Sequence, residues 1–199
     1  MKKIQLGLEF SHQYEVEIVD EWSGCPNQVR RIYFPRAAEG GGSSGGLLVE
    51  VTPRIGDVWL GVFASGYRSP ASLSKVFSCP NEKCVCVISS GTGYIVRVDK
   101  PGTWEEIKLH PIIDARSILD RSLIVFASFT ELVANGTAGM VWRTARLSWD
   151  GLKIIDVTSE VIRGLAWDSP LNKEVEFTVN LRTGQHEGGS SPDKYSISR

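Results

Sequence analysis

Val85-Cys86-Val87-Ile88-Ser89-Ser90 and Leu123-Ile124-Val125-Phe126-Ala127-Ser128 read as copies of one another, 38 positions apart. Each is a short apolar run closed by small residues, the pattern of a buried strand that ends in a turn. At the same offset Tyr94-Ile95-Val96 meets Leu132-Val133-Ala134, and Trp104 meets Trp142. The repeating unit therefore holds several short strands in about 40 residues. That describes architecture and names neither a substrate nor a reaction.

Strand signals continue on either side. Tyr14-Glu15-Val16-Glu17-Ile18-Val19 alternates polar and apolar residues, and Val29-Arg30-Arg31-Ile32-Tyr33-Phe34 is a second run ended by Pro35. The breaker-rich Ser23-Gly24-Cys25-Pro26-Asn27 between them predicts a hairpin. Leu47-Leu48-Val49-Glu50-Val51 and Val58-Trp59-Leu60-Gly61-Val62-Phe63 predict two further strands. The first repeat copy continues through 93–99 and a Lys100-Pro101-Gly102-Thr103 turn into 104–109, and the second carries the tight-turn signal Asn135-Gly136. Asp150-Gly151, flanked by 145–149 and 152–157, is the plainest hairpin signal in the chain. Thr158 is expected to cap one helical turn over 158–164, and 174–181 alternates strictly through Val175, Phe177, Val179 and Leu181. The expected class is all-β, a propeller-like or sandwich-like stack of small antiparallel sheets. A single domain is expected over 1–187, with a flexible Gly/Ser loop at 40–46 and a disordered tail over 188–199.

Gly93-Tyr94-Ile95-Val96-Arg97-Val98-Asp99-Lys100-Pro101-Gly102-Thr103-Trp104 resembles the end of a blade in β-propeller repeats of the quinone-dehydrogenase-like type. In such repeats a strand runs into an Asp-containing turn with Gly and then an aromatic residue. Val179-Asn180-Leu181-Arg182-Thr183-Gly184 echoes the pattern. The resemblance implies blade-like sheets. A closed propeller takes about four blades or more of four strands each. The first half shows no further copy, so a closed ring, an open arc and a sandwich all stay open.

Charge and composition exclude several function classes. Lys plus Arg (22) balances Asp plus Glu (23) for a formal net charge of −1. Nucleic-acid binding draws its affinity from a positive excess, so no nucleic-acid partner is expected. No apolar run approaches the ~18 residues of a membrane span, and Gln5 and Glu9 interrupt the opening run that an export signal would need. The chain is read as cytoplasmic, with Cys25, Cys79, Cys84 and Cys86 as thiols.

Residues able to do chemistry do not assemble into a signature. Cys79 and Cys84 have a permissible ligand spacing, but Cys84 and Cys86 belong to an extended strand and only Cys25 or a distant His could complete a zinc site, so no metal is expected. No Gly-x-Ser-x-Gly elbow occurs, and the glycine run before Leu47-Leu48 lacks the Lys-Ser/Thr ending of a phosphate cradle. Adjacent carboxylates at Asp20-Glu21 and Glu105-Glu106 point to opposite faces of an extended chain. Neither catalytic residues nor a cofactor are expected. Trp104 and Trp142 read as core, whereas Trp22, Trp149 and Trp167 stand beside acids at turns. Asp20, Glu21, Trp22, Trp149, Asp150, Trp167 and Asp168 are therefore the expected protein-contact residues, since Trp is enriched at interface hot spots. The expected function is non-catalytic binding of another macromolecule, a protein, for instance as a toxin-neutralising, immunity-type partner. The alternative is a loop-built hydrolase or carbohydrate-binding protein with a cleft near His110 and Asp114.

Overall fold

The computed structural model describes residues 4–19, 29–35, 46–67 and 69–196. The chain divides into two compact units, Met1–Pro111 and Ile112–Arg199. Both are built from small, mainly antiparallel sheets.

The first unit contains β1 (Gln5–Gly7), β2 (Tyr14–Ile18), β3 (Arg30–Phe34), β4 (Gly46–Pro53), β5 (Trp59–Ala64), β6 (Lys75–Ser78), β7 (Cys84–Ser89), β8 (Thr92–Arg97) and β9 (Trp104–Glu106). One sheet runs β1-β6-β7-β8-β9 and the other β2-β4-β5-β3. Their shared core includes Phe34, Val51, Phe63, Val87 and Val96. Phe34 stacks on Phe63 with ring centroids 4.7 Å apart and meets Trp104 edge-on at 5.6 Å, both favoured aromatic geometries.

The second unit contains β10 (Asp114–Ile118), a 3-10 turn (Leu119–Arg121), β11 (Leu123–Ala127), β12 (Leu132–Gly136), β13 (Gly139–Arg143), β14 (Leu152–Val157), β15 (Val161–Asp168), β16 (Lys173–Asn180), β17 (His186–Gly188) and the short helix α1 (Pro192–Ser196). Strands β10 to β13 form one four-stranded sheet in chain order, and β14 to β17 form another. Each is a blade-like meander. Leu123, Val125, Ala134 and Trp142 from the first pack with Ile154, Ile162, Phe177 and Val179 from the second. Each unit also ties an indole to a carbonyl: Trp59 Nε1 donates to Val98 at 3.0 Å, and Trp142 Nε1 to Leu181 at 2.7 Å.

The matched tryptophans hold corresponding places, Trp104 opposite Val96 on β8 and Trp142 opposite Ala134 on β12. Several local expectations are corrected. The run at 14–19 does not form a hairpin with 29–34; β2 pairs antiparallel with β4, and β3 pairs parallel with β5. Alternation identifies a strand but does not choose its neighbour. The expected helical turn at 158–164 is a tight β-turn followed by β15. Thr158 Oγ1 accepts the N–H groups of Glu160 and Val161, the same side-chain chemistry that caps helices used in a turn. Residues 144–148 form no strand, so β14 pairs with β15 instead. The expected loop at 40–46 lies outside the described residues except for Gly46, which opens β4. Within the tail expected to be disordered over 188–199, the described residues contact the second unit as far as Tyr195, which donates to Asp168. Gly189 and Ser190 are buried, and Gly189 donates to the Glu176 carbonyl. Backbone partners there offset a composition too polar to drive burial. Among the described residues, no helix is long and apolar enough to cross a membrane.

Candidate functional site

Four of the seven expected contact residues gather at one place in the second unit. Trp149 N–H donates to the Trp167 carbonyl at 3.1 Å, and Trp167 N–H returns to the Gly151 carbonyl at 2.9 Å. Ser148, buried beneath this turn, donates its hydroxyl to Gly151 at 2.6 Å and accepts from Trp167 N–H at 2.9 Å. Asp150 is exposed at the tip, while Trp149 and Trp167 are half-buried. Asp20, Glu21 and Trp22 lie outside the described residues.

Asp168 departs from its expected role, because its side chain faces inward and is buried. Oδ1 accepts Leu171 N–H at 3.0 Å, Oδ2 accepts the Tyr195 hydroxyl at 2.7 Å, and Lys194 Nζ lies 3.9 Å away. Burial pushes this carboxyl up. Hydrogen bonds from Tyr195, Leu171 and Ser190, with the Lys194 charge, outweigh it and leave the group below its ordinary value. Trp149 Nε1 donates to Ser190 Oγ at 3.2 Å, and its ring lies 6.3 Å from that of Tyr195. The polar composition of the C-terminal segment hid Ser190 and Tyr195; Asp168, an acid at a strand end, was the one readable hint of a partner there.

His110 and Asp114 are each engaged by a different residue. His110 Nε2 lies 3.0 Å from Glu106, while Asp114 accepts from Arg116 at 2.9 Å and from Ala115 N–H at 2.8 Å. Cys79 and Cys86 are buried and Cys84 is half-buried. Desolvation pushes all three thiols up, with Arg97 partly opposing it at Cys84. Cys25 lies outside the described residues. Among the described residues, no three His, Cys, Asp or Glu side chains are grouped to hold a metal ion.

A cavity of about 730 Å3 lies in the second unit between the end of β13 and β17. Arg143 and Ala145 stand on one side and Gln185, His186 and Glu187 on the other, with Thr178 and Asn180 also lining it. Sequence reading missed this place because its two walls lie far apart in the chain. Arg143 is committed to Glu131 through two hydrogen bonds, 2.7 and 2.6 Å long. Nearby, the edge strand β13 exposes two successive apolar residues, Met140 at 66% and Val141 at 53%.

No protein-family model matches the chain, and no curated protein is similar to it. Among solved structures it is similar to the N-terminal domain of Nup159, with a TM-score of 0.38 and 11% identity. That alignment covers 98% of this chain and 56% of the other, so this chain spans little more than half of that domain's length. A likeness of that degree carries no argument; the fold rests on the strand pairings above.

Proposed function

We propose that this chain binds another protein without catalysing a reaction on it. The supporting observation is the edge of β13, where Met140 and Val141 stand in solvent on consecutive positions. The pairing with β12 shifts register here, from Trp142 opposite Ala134 to Met140 opposite Asn135, so Val141 is the extra residue of a bulge on the edge strand. Edge strands are commonly blunted by charge, proline, bulges or a covering element; β13 carries a bulge here, and its two apolar side chains nevertheless stay exposed, as suits a partner surface. The turn carrying Trp149, Asp150 and Trp167 offers a second contact group of the kind enriched at hot spots.

The narrower form of the proposal is a cytosolic, toxin-neutralising partner of the immunity type. The full chain is used as bait in an extract of its native host, with the Met140→Lys/Val141→Lys double variant in parallel. Recovery of one specific protein by the first bait and its loss with the second is the expected result. Recovery of no specific protein overturns the reading. Relief of a neighbouring gene's toxicity on co-expression tests the narrower form.

A further inference from the structure

We infer that the cleft between β13 and β17 receives one extended segment of a partner polypeptide and holds it by its main chain as an added strand. This rests on the protein-binding reading and locates where that binding occurs.

Two chain segments border the cleft. They touch at one end, where Ser190 N–H donates to the Leu147 carbonyl at 2.7 Å. Gly189 permits the contact: its φ is +73°, and a Cβ there would lie 2.7 Å from the same carbonyl oxygen. Towards the other end the segments part, and the cavity opens between Ala145 and His186. Among the described residues, the bond at Leu147 is the one main-chain hydrogen bond that bridges 143–147 and 185–190.

The backbone of each wall is turned into this gap. In an antiparallel pair, alternate residues bond to the neighbouring strand and those between face away. Asn180 N–H donates to Gln185, and Gly189 N–H to Glu176, so Gln185, Glu187 and Gly189 face β16. His186 and Gly188 consequently face outward, as Ser190 does in reaching Leu147. On the opposite wall Thr144 N–H donates to the Leu132 carbonyl at 3.0 Å, which turns the main chain of Arg143 away from β12. The cleft is thus bordered on one side by the open edge of β17 and on the other by the end of β13 and the non-strand residues that follow it.

The lining offers the mixed donors and acceptors that a main chain needs. Amides, hydroxyls, an imidazole, the Glu187 carboxylate and a Glu131-paired guanidinium supply both donors and acceptors. His186 contributes the one ring among the described lining residues, and none of them is Phe, Tyr or Trp. Strand addition takes its affinity from backbone hydrogen bonds.

The test selects random dodecapeptides displayed on phage against the immobilised full chain. Enriched peptides are expected to lose about tenfold or more in affinity when alternate amides are N-methylated. A similar loss is expected with Ala145→Arg, a substitution at an exposed position that fills the cleft and leaves the thermal melt in place. Should that variant fail to fold, the methylated peptides decide alone. Enriched peptides that bind but ignore both changes overturn the cleft and leave the protein-binding reading standing. Absence of enrichment also overturns the cleft; absence of any captured host protein overturns the broader reading. A concentration-dependent dimer abolished by Ala145→Arg replaces the partner with a second copy and overturns the inference as stated.

Discussion

Trp142 shows how much one side chain does here. Its ring fills the core shared by the two sheets of the second unit, its Nε1 satisfies the Leu181 carbonyl, and Gly184 lies against it. Trp142→Phe keeps most of the apolar contact but orphans that carbonyl, which costs about 1–3 kcal/mol, readable as a lower urea midpoint with an unchanged slope. Gly184→Ala is expected to destabilise as well, since φ is +71° and the added methyl would meet the indole at 2.9 Å. The cysteines supply a chemical check. With their thiols pushed up by burial, Cys79 and Cys86 should resist thiol reagents at neutral pH, and Cys84 should label before either, as mapped by peptide mass. Fast labelling of Cys86 in the folded chain would contradict the structure. Recurrence at the repeat offset made the core role of Trp142 legible. The burial of Asp168 was not legible, because a turn acid is usually solvated and only its surroundings reveal a buried one.

At the level of elements, the segment after β17 is the least legible part and among the most specifically held. Tyr195 reaches from α1 to Asp168, a contact across 27 positions that no local pattern announces. Tyr195→Phe removes the leading stabiliser of the Asp168 carboxylate. The Asp168 pKa is then expected to rise, measured by carboxyl NMR titration, while the fold is retained; an unmoved value would remove Tyr195 from the account. Truncation after Gly189 should expose Trp149 and shift its fluorescence to longer wavelength. Strands β7, β8, β11 and β16 were readable from composition and alternation, whereas β1 and β17 have three residues each and exist through their neighbours. Short strands have little pattern to read, because pairing supplies most of their stability.

For the molecule as a whole, titration predicts a stability plateau with a limb on each side. The folded chain favours ionised Asp168. That contribution is complete above the unfolded value of 3.8 and is lost as pH falls through the lower folded value. At the alkaline side, burial and then the Glu106 charge push Tyr94 up to about 12, and burial chiefly pushes Tyr14 higher still. The fold favours the neutral phenols, so this stability is complete below the unfolded value of 10.0 and is lost as pH rises through about 12. Urea melts across pH should show both limbs, with phenolate absorbance following the upper one. The all-β class and the small-sheet organisation followed directly from apolar periodicity and turn residues, because those signals are local. Strand partners, the inward turn of Asp168 and the cleft beside β17 were set in three dimensions. Each joins residues far apart in the chain, and burial with hydrogen-bond satisfaction chose among pairings that the local patterns allowed equally.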